Sequence, residues 1–157
     1  AQRDQDSVGG IVECRIKGVA SSLGEPFFDS VESTAAHLLF SMPAIKGVEF
    51  GAGFGISELR GSQANDPFFM DNNTVRTATN HSGGINGGIT NGNDLVVRVA
   101  IKPTPSISRE QMTYNKALGE VAPLCIKGRH DACIVLRAAV VVESVVAIAL
   151  AELTLNI

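Results

Sequence analysis

The stretch Leu95-Val96-Val97-Arg98-Val99-Ala100-Ile101-Lys102 most restricts what this chain can fold into. Its side chains alternate. Leu95, Val97, Val99 and Ile101 share one face, and Val96, Arg98, Ala100 and Lys102 share the other. Pro103 and Pro105 end the run, because proline has no N–H for a sheet ladder. Asn91-Gly92 before it is a hairpin signal. A second strand is predicted over Val8–Ile16, where Gly9-Gly10 permits close backbone approach. Residues 28–42 carry Phe28, Val31, Ala35, Leu38, Leu39 and Met42 at helical spacing. Asp29 or Ser30 caps that helix and Pro43 stops it. Ile45–Phe50 reads as a further strand, followed by Gly51, Gly53 and Gly55. These segments form a strand–helix–strand unit of the α/β or α+β kind.

The rest of the chain is less periodic. Residues 57–82 are polar and are expected to be a long functional or partly disordered loop, with Phe68-Phe69-Met70 as an anchor against a core or partner. Gly119–Asp131 reads as mostly irregular. The Ala/Val-rich tail, residues 132–155, reads as a buried helix, although Val140–Val142 would also suit a strand.

Composition narrows the function classes. At 157 residues, with 45% apolar and 18% charged, the chain has enough apolar material for one medium domain and too much for a disordered one. A net charge of −3 argues against nucleic acid as a partner. Aromatics at 5%, with no Trp and one Tyr, argue against base stacking. The charged N-terminus leads into no signal-like apolar core. The apolar tail is broken by Glu143-Ser144, which argues against a membrane span. Cys14, Cys125 and Cys133 cannot all pair and form no CxxC, so reduced thiols in a cytoplasmic protein are expected. The chain begins at Ala1, consistent with cleavage or truncation.

Three constellations bear on chemistry. The paired glycines Gly83-Gly84 and Gly87-Gly88 match neither GxGxxG nor a P-loop, and on their own favour a tight hairpin. Lys102-Pro103-Thr104-Pro105-Ser106 sets a cation beside two hydroxyls on a stiffened backbone. It is equally a phosphate cradle and a proline-terminated edge strand. In Gly128-Arg129-His130-Asp131, Arg129 can clamp an anion and Asp131 can tune proton transfer, or Asp131 can simply cap a helix. Lys127, Arg129, Lys102 and Arg98 would together make a positive pocket for a phosphorylated, carboxylated small molecule. GxSxG, HExxH and EF-hand patterns do not occur. His37, His81 and His130 lack zinc-site spacing, so no metal is expected.

Taken in order, several stretches closely resemble the C-terminal part of the chorismate synthases. They are residues 6–14, 24–29, 45–54, Arg60-Gly61-Ser62, the 80–89 run Asn-His-Ser-Gly-Gly-Ile-Asn-Gly-Gly-Ile, 102–106 and 128–131. They are collinear and cover nearly the whole chain, residues 1–157. The resemblance implies an α+β fold, the C-terminal portion of a layered α/β sandwich. It implies conversion of 5-enolpyruvylshikimate-3-phosphate to chorismate by a 1,4-elimination of phosphate and a ring proton. The cofactor implied is reduced FMN, with NADP as a second nucleotide, and the setting a cytoplasmic homotetramer in aromatic amino-acid biosynthesis. By position, Pro43, Ala44, Gly87, Lys102, Pro103, Thr104, Pro105, Ser106 and Arg129 resemble the flavin-contacting residues. Asp131 resembles an aspartate near the flavin that assists proton removal.

Chorismate synthases are much longer. Their N-terminal half, an expected partner of this segment, carries two active-site histidines and several substrate-binding arginines. His81 and His130 are not those histidines. Ala132 and Val140 stand where the family usually has proline, which loosens the approach to the last helix. The isolated chain is therefore expected to be inactive and to bind flavin weakly. A non-catalytic flavin- or phosphate-binding module and an assembly domain are the alternatives.

Overall fold

The computed structural model describes residues 1–155. In chain order it contains β1 (Gly10–Ile16), α1 (Val31–Ser41), β2 (Ile45–Phe50), α2 (Gly61–Ala64), β3 (Phe68–Asp71) and β4 (Thr74–Thr77). There follow β5 (Ile85–Asn86), β6 (Ile89–Thr90), β7 (Leu95–Ile101), β8 (Gln111–Asn115), β9 (Glu120–Leu124) and α3 (Val135–Leu155). The architecture is α+β, as expected.

The central sheet has the order β1-β7-β2, with both outer strands antiparallel to β7. The expected strand–helix–strand unit is therefore present but split, because β7 inserts between its two strands. The alternation of β7 is realised: Leu95, Val97, Val99 and Ile101 are all buried. Helices α1 and α3 cover that face, and Leu39, Ile45, Val97, Val99, Ile101, Val142 and Val146 form one core cluster. Leu39, Val99 and Val142 are completely buried. Sequestering side chains of this size from water contributes about 1.5–3 kcal/mol each.

Helix α1 is capped by Ser30, whose Oγ accepts a hydrogen bond from Ser33 N at 3.0 Å. Its buried stripe is Val31, Ala35 and Leu39. Phe28, read as part of that stripe, instead precedes the helix and is exposed. Helix α3 buries Val142, Val146, Ala149 and Leu153, one residue per turn, and packs on α1 and β1. It is long and apolar enough to cross a membrane by length and composition, and the expected buried helix is buried only along this stripe. Its other side leaves Leu136, Val140 and Ile148 exposed.

Two regions differ from the sequence reading. Residues 57–82, expected as a loop, contain α2 and the β3–β4 hairpin. Asn72 and Asn73 turn that hairpin with φ of 47° and 65°, the left-handed pair of a type I′ turn, which asparagine tolerates. Phe68, Phe69 and Met70 stay exposed, so among the described residues they anchor against no core. Residues 111–124, partly read as irregular, form the β8–β9 hairpin. The hairpin expected at Asn91-Gly92 lies earlier: β5 pairs β6 around Gly87-Gly88. Asn91 instead makes an Asx turn, accepting from Asn93 N at 2.9 Å.

Candidate functional site

Most of the candidate residues gather where β7 ends. Lys102 N donates to Ala44 O at 2.9 Å, joining the Pro43-Ala44 turn to the 102–106 segment. Ala44 has φ 74°, a left-handed conformation that costs an alanine of order 1–2 kcal/mol and must be imposed by its surroundings. The residues just before β1 tie this segment to the 128–132 segment. Ser7 Oγ donates to Thr104 O at 2.6 Å, and Val8 N donates to Ala132 O at 2.9 Å. Gly9 makes the tie possible, since a Cβ there would lie 2.2 Å from Ile101 O.

Lys102, Pro103 and Pro105 are exposed at this edge, while Thr104 and Ser106 are half-buried. Thr104 Oγ1 is itself buried and has no hydrogen-bond partner among the described residues. Arg129 lines a cleft of about 200 Å³ together with Asp6, Ser108 and His130. Asp131 Oδ2 lies 3.0 Å from Arg137 Nη1. Because α3 begins only at Val135, Asp131 caps no helix. Among the described residues, no group of His, Cys, Asp and Glu is disposed to hold a metal ion.

Two candidates fall elsewhere. Arg98 is no part of a positive pocket: its Nε lies 3.0 Å from Glu49 Oε1, and its Nη2 donates to Gly51 O at 2.9 Å. Gly87 sits at the other end of α1. There the β5–β6 hairpin docks through Val31 N donating to Gly88 O at 3.0 Å. An 11-residue helix separates that point from Pro43-Ala44 by about 16 Å.

The sequence reading missed Asp66. Its side chain is 8% exposed and accepts from Thr79 Oγ1 at 2.7 Å, His81 N at 2.7 Å and Ser82 N at 3.0 Å, with His81 Nδ1 at 3.1 Å. Burial alone would raise its pKa. The hydrogen bonds from Thr79, His81 and Ser82 outweigh burial and hold the carboxyl at about 2. Nothing in Asn65-Asp66-Pro67 distinguished this carboxylate from a solvated loop residue.

The family model described as chorismate synthase matches residues 1–155. The chain belongs to the chorismate synthase family. The chorismate synthase of Chitinophaga pinensis is 58% identical over 151 residues, covering 96% of this chain and 45% of that protein. The chorismate synthase of Archaeoglobus fulgidus is 52% identical over 147 residues, covering 94% of this chain and 41% of that protein. A solved structure described as the crystal structure of chorismate synthase superposes with a TM-score of 0.77 at 31% identity, covering 99% of this chain and 39% of its own. The chain thus spans less than half the length of these chorismate synthase relatives.

Proposed function

We propose that this chain is the C-terminal, flavin-contacting portion of a chorismate synthase. The whole enzyme converts 5-enolpyruvylshikimate-3-phosphate to chorismate and phosphate, making it a carbon–oxygen lyase. The observation that carries the reading is the polar edge where β7 ends. There the unpartnered Thr104 hydroxyl, the Lys102 ammonium and the Ser106 hydroxyl lie along one short segment, joined through Ser7 and Val8 to the segment of Arg129. A buried hydroxyl without a partner costs free energy unless a ligand satisfies it. Cations beside hydroxyls fit a phosphate-bearing cofactor such as reduced FMN.

The chemistry supplied by bound reduced FMN is transient electron donation with no net redox change. The residues of this chain bind and orient. Lys102, Thr104, Ser106 and Arg129 hold anionic groups, and Pro103 and Pro105 stiffen the cradle. The strained Pro43-Ala44 turn, fixed by Lys102 N, presents backbone to the flavin, as does the exposed Gly87. Asp131, held by Arg137, is the carboxylate beside the flavin that assists removal of the ring proton.

The remaining machinery belongs to the longer N-terminal part, including the two active-site histidines and the substrate-binding arginines. The uncovered apolar side of α3 supports a fold completed by further chain. A cytoplasmic homotetramer with NADP as a second nucleotide belongs to the same reading.

Titration of FMN against wild type, Lys102→Ala and Arg129→Ala tests it. Both substitutions weaken binding at least tenfold. Affinity unchanged by either would leave the segment an assembly domain, the reading otherwise favoured by the exposed apolar residues of α3 and of the β8–β9 hairpin.

A further inference from the structure

We propose that Asp66 is a positioning residue for the glycine-rich turn that carries Gly87, linking the β3–β4 segment to the flavin-contacting backbone. The inference rests on the reading that Gly87 contacts the flavin. Its own support is a continuous set of hydrogen bonds.

Asp66 Oδ1 accepts from Thr79 Oγ1 and His81 N, each at 2.7 Å, and Oδ2 accepts from Ser82 N at 3.0 Å. Ser82 Oγ in turn accepts from Asn86 Nδ2 at 3.1 Å. Asn86 Oδ1 accepts from Asn91 Nδ2 at 2.6 Å, closing the base of the turn across β5 and β6. Asn86 immediately precedes Gly87. A single carboxylate therefore sets the start of the turn, and two side-chain bonds pass that setting to its tip.

The turn needs such support. Its two strands are only two residues each, far below the length at which a hairpin holds its own geometry. Gly87 itself is exposed, and a Cβ on it would meet nothing within 4 Å, so its position depends on its neighbours: Gly88 O accepts from Val31 N on one side, and Asn86 bonds Ser82 and Asn91 on the other. Asp66 is suited to the role because an ionised carboxylate offers only acceptor sites, and here the Thr79 hydroxyl and the His81 and Ser82 amides all donate. Asparagine is not equivalent. With its oxygen in the Oδ1 place, its NH2 would face the Ser82 amide, donor against donor.

The test uses the full-length enzyme carrying this segment, with Asp66→Asn, Asp66→Ala, Asn86→Ala and Gly87→Ala. Two quantities are read: FMN affinity by titration, and amide hydrogen exchange across residues 82–88. Asp66→Asn and Asn86→Ala are expected to weaken FMN binding about tenfold and to speed exchange at 82–88, while kcat at saturating flavin changes less than twofold. That split separates positioning from general damage, which would lower kcat as well. Asp66→Ala follows the same pattern, and if it fails to fold the other two variants decide.

If Gly87→Ala weakens FMN binding while folded Asp66→Asn and Asn86→Ala bind normally and protect 82–88 as wild type does, Asp66 does not position the turn. If Gly87→Ala binds FMN as wild type does, the reading of Gly87 fails and the flavin role of Asp66 falls with it.

Discussion

Arg98 on β7 and Glu49 on β2 are direct cross-strand partners, with Arg98 Nε 3.0 Å from Glu49 Oε1. The pair turns a residue that resembled a ligand-binding cation into a brace. Arg98 Nη2 also donates to Gly51 O, and Glu49 Oε2 accepts from Phe54 N at 3.1 Å, so both side chains hold the bend that follows β2. Each is about a quarter to a third exposed, and an ion pair of this kind, close in distance but with no aligned hydrogen bond from Nε, contributes on the order of 1 kcal/mol or less. Arg98→Ala is therefore expected to lower stability while leaving FMN affinity within twofold. A double-mutant cycle with Glu49→Ala in denaturant should return a coupling energy of about 0.5–2 kcal/mol. Additive losses would dissolve the pair.

Gly51 and Gly83 touch through their backbones. A Cβ on Gly51 would lie 2.1 Å from His81 O, and one on Gly83 would lie 2.3 Å from Gly51 N. Gly51→Ala or Gly83→Ala should destabilise by about 3 kcal/mol or more, because backbone cannot move aside and φ is positive at both. Gly87→Ala should cost only about 1 kcal/mol, since its surroundings are open. Thermal melts of the three variants check the ordering.

Asp66 makes acid stability a readout of its hydrogen bonds. Its folded pKa of about 2 lies below the ordinary value of 3.8, so its stabilisation is complete above the ordinary value and is lost as pH falls through about 2. The melting temperature of wild type should therefore exceed that of Asp66→Asn at neutral pH, and the gap should narrow as pH falls from about 4 to 2. A gap constant across that window would count against the assignment.

Cys14 is half-buried, and burial, then the nearby Glu143 carboxylate, push its thiol pKa up. Cys125 is exposed. At neutral pH a thiol reagent should label Cys125 first and Cys14 slowly. Glu143→Gln should speed labelling of Cys14. Equal rates in wild type and variant would show that Glu143 does not act on it.

Leu39 and Leu136 are both helical leucines, but Leu39 is 0% exposed and Leu136 is 83% exposed. Leu39→Ala should cost about 2–5 kcal/mol. Leu136→Ala should cost under about 0.5 kcal/mol in the 157-residue chain, and the proposed completion of the fold by further chain predicts a distinctly larger loss in the full-length enzyme. Equal small effects in both would leave that face uncovered.

Much of this was legible from local pattern. The period-two run at 95–101 named its own buried face, and Ser30 with Pro43 bounded α1, because alternation, capping and proline chemistry act within a few residues. The β3–β4 and β8–β9 hairpins were missed because their strands are mostly exposed, so no apolar period marks them. The Asn72-Asn73 pair was the available signal for the first.

Local pattern specified helices α1 and α3, the core strand and, through collinear motifs, the family. Tertiary structure decided which charges are free. Lys102 lies four residues after Arg98 and one past the end of β7, and only Arg98 meets Glu49 from a neighbouring strand. Arg98 is thereby neutralised as a brace, while Lys102 projects beyond the strand end. Asp66 looked like any loop aspartate until the fold surrounded it with donors from residues 79–82. Whether a charge binds a ligand or braces a fold depends on partners distant in sequence, and only the folded chain brings those partners together.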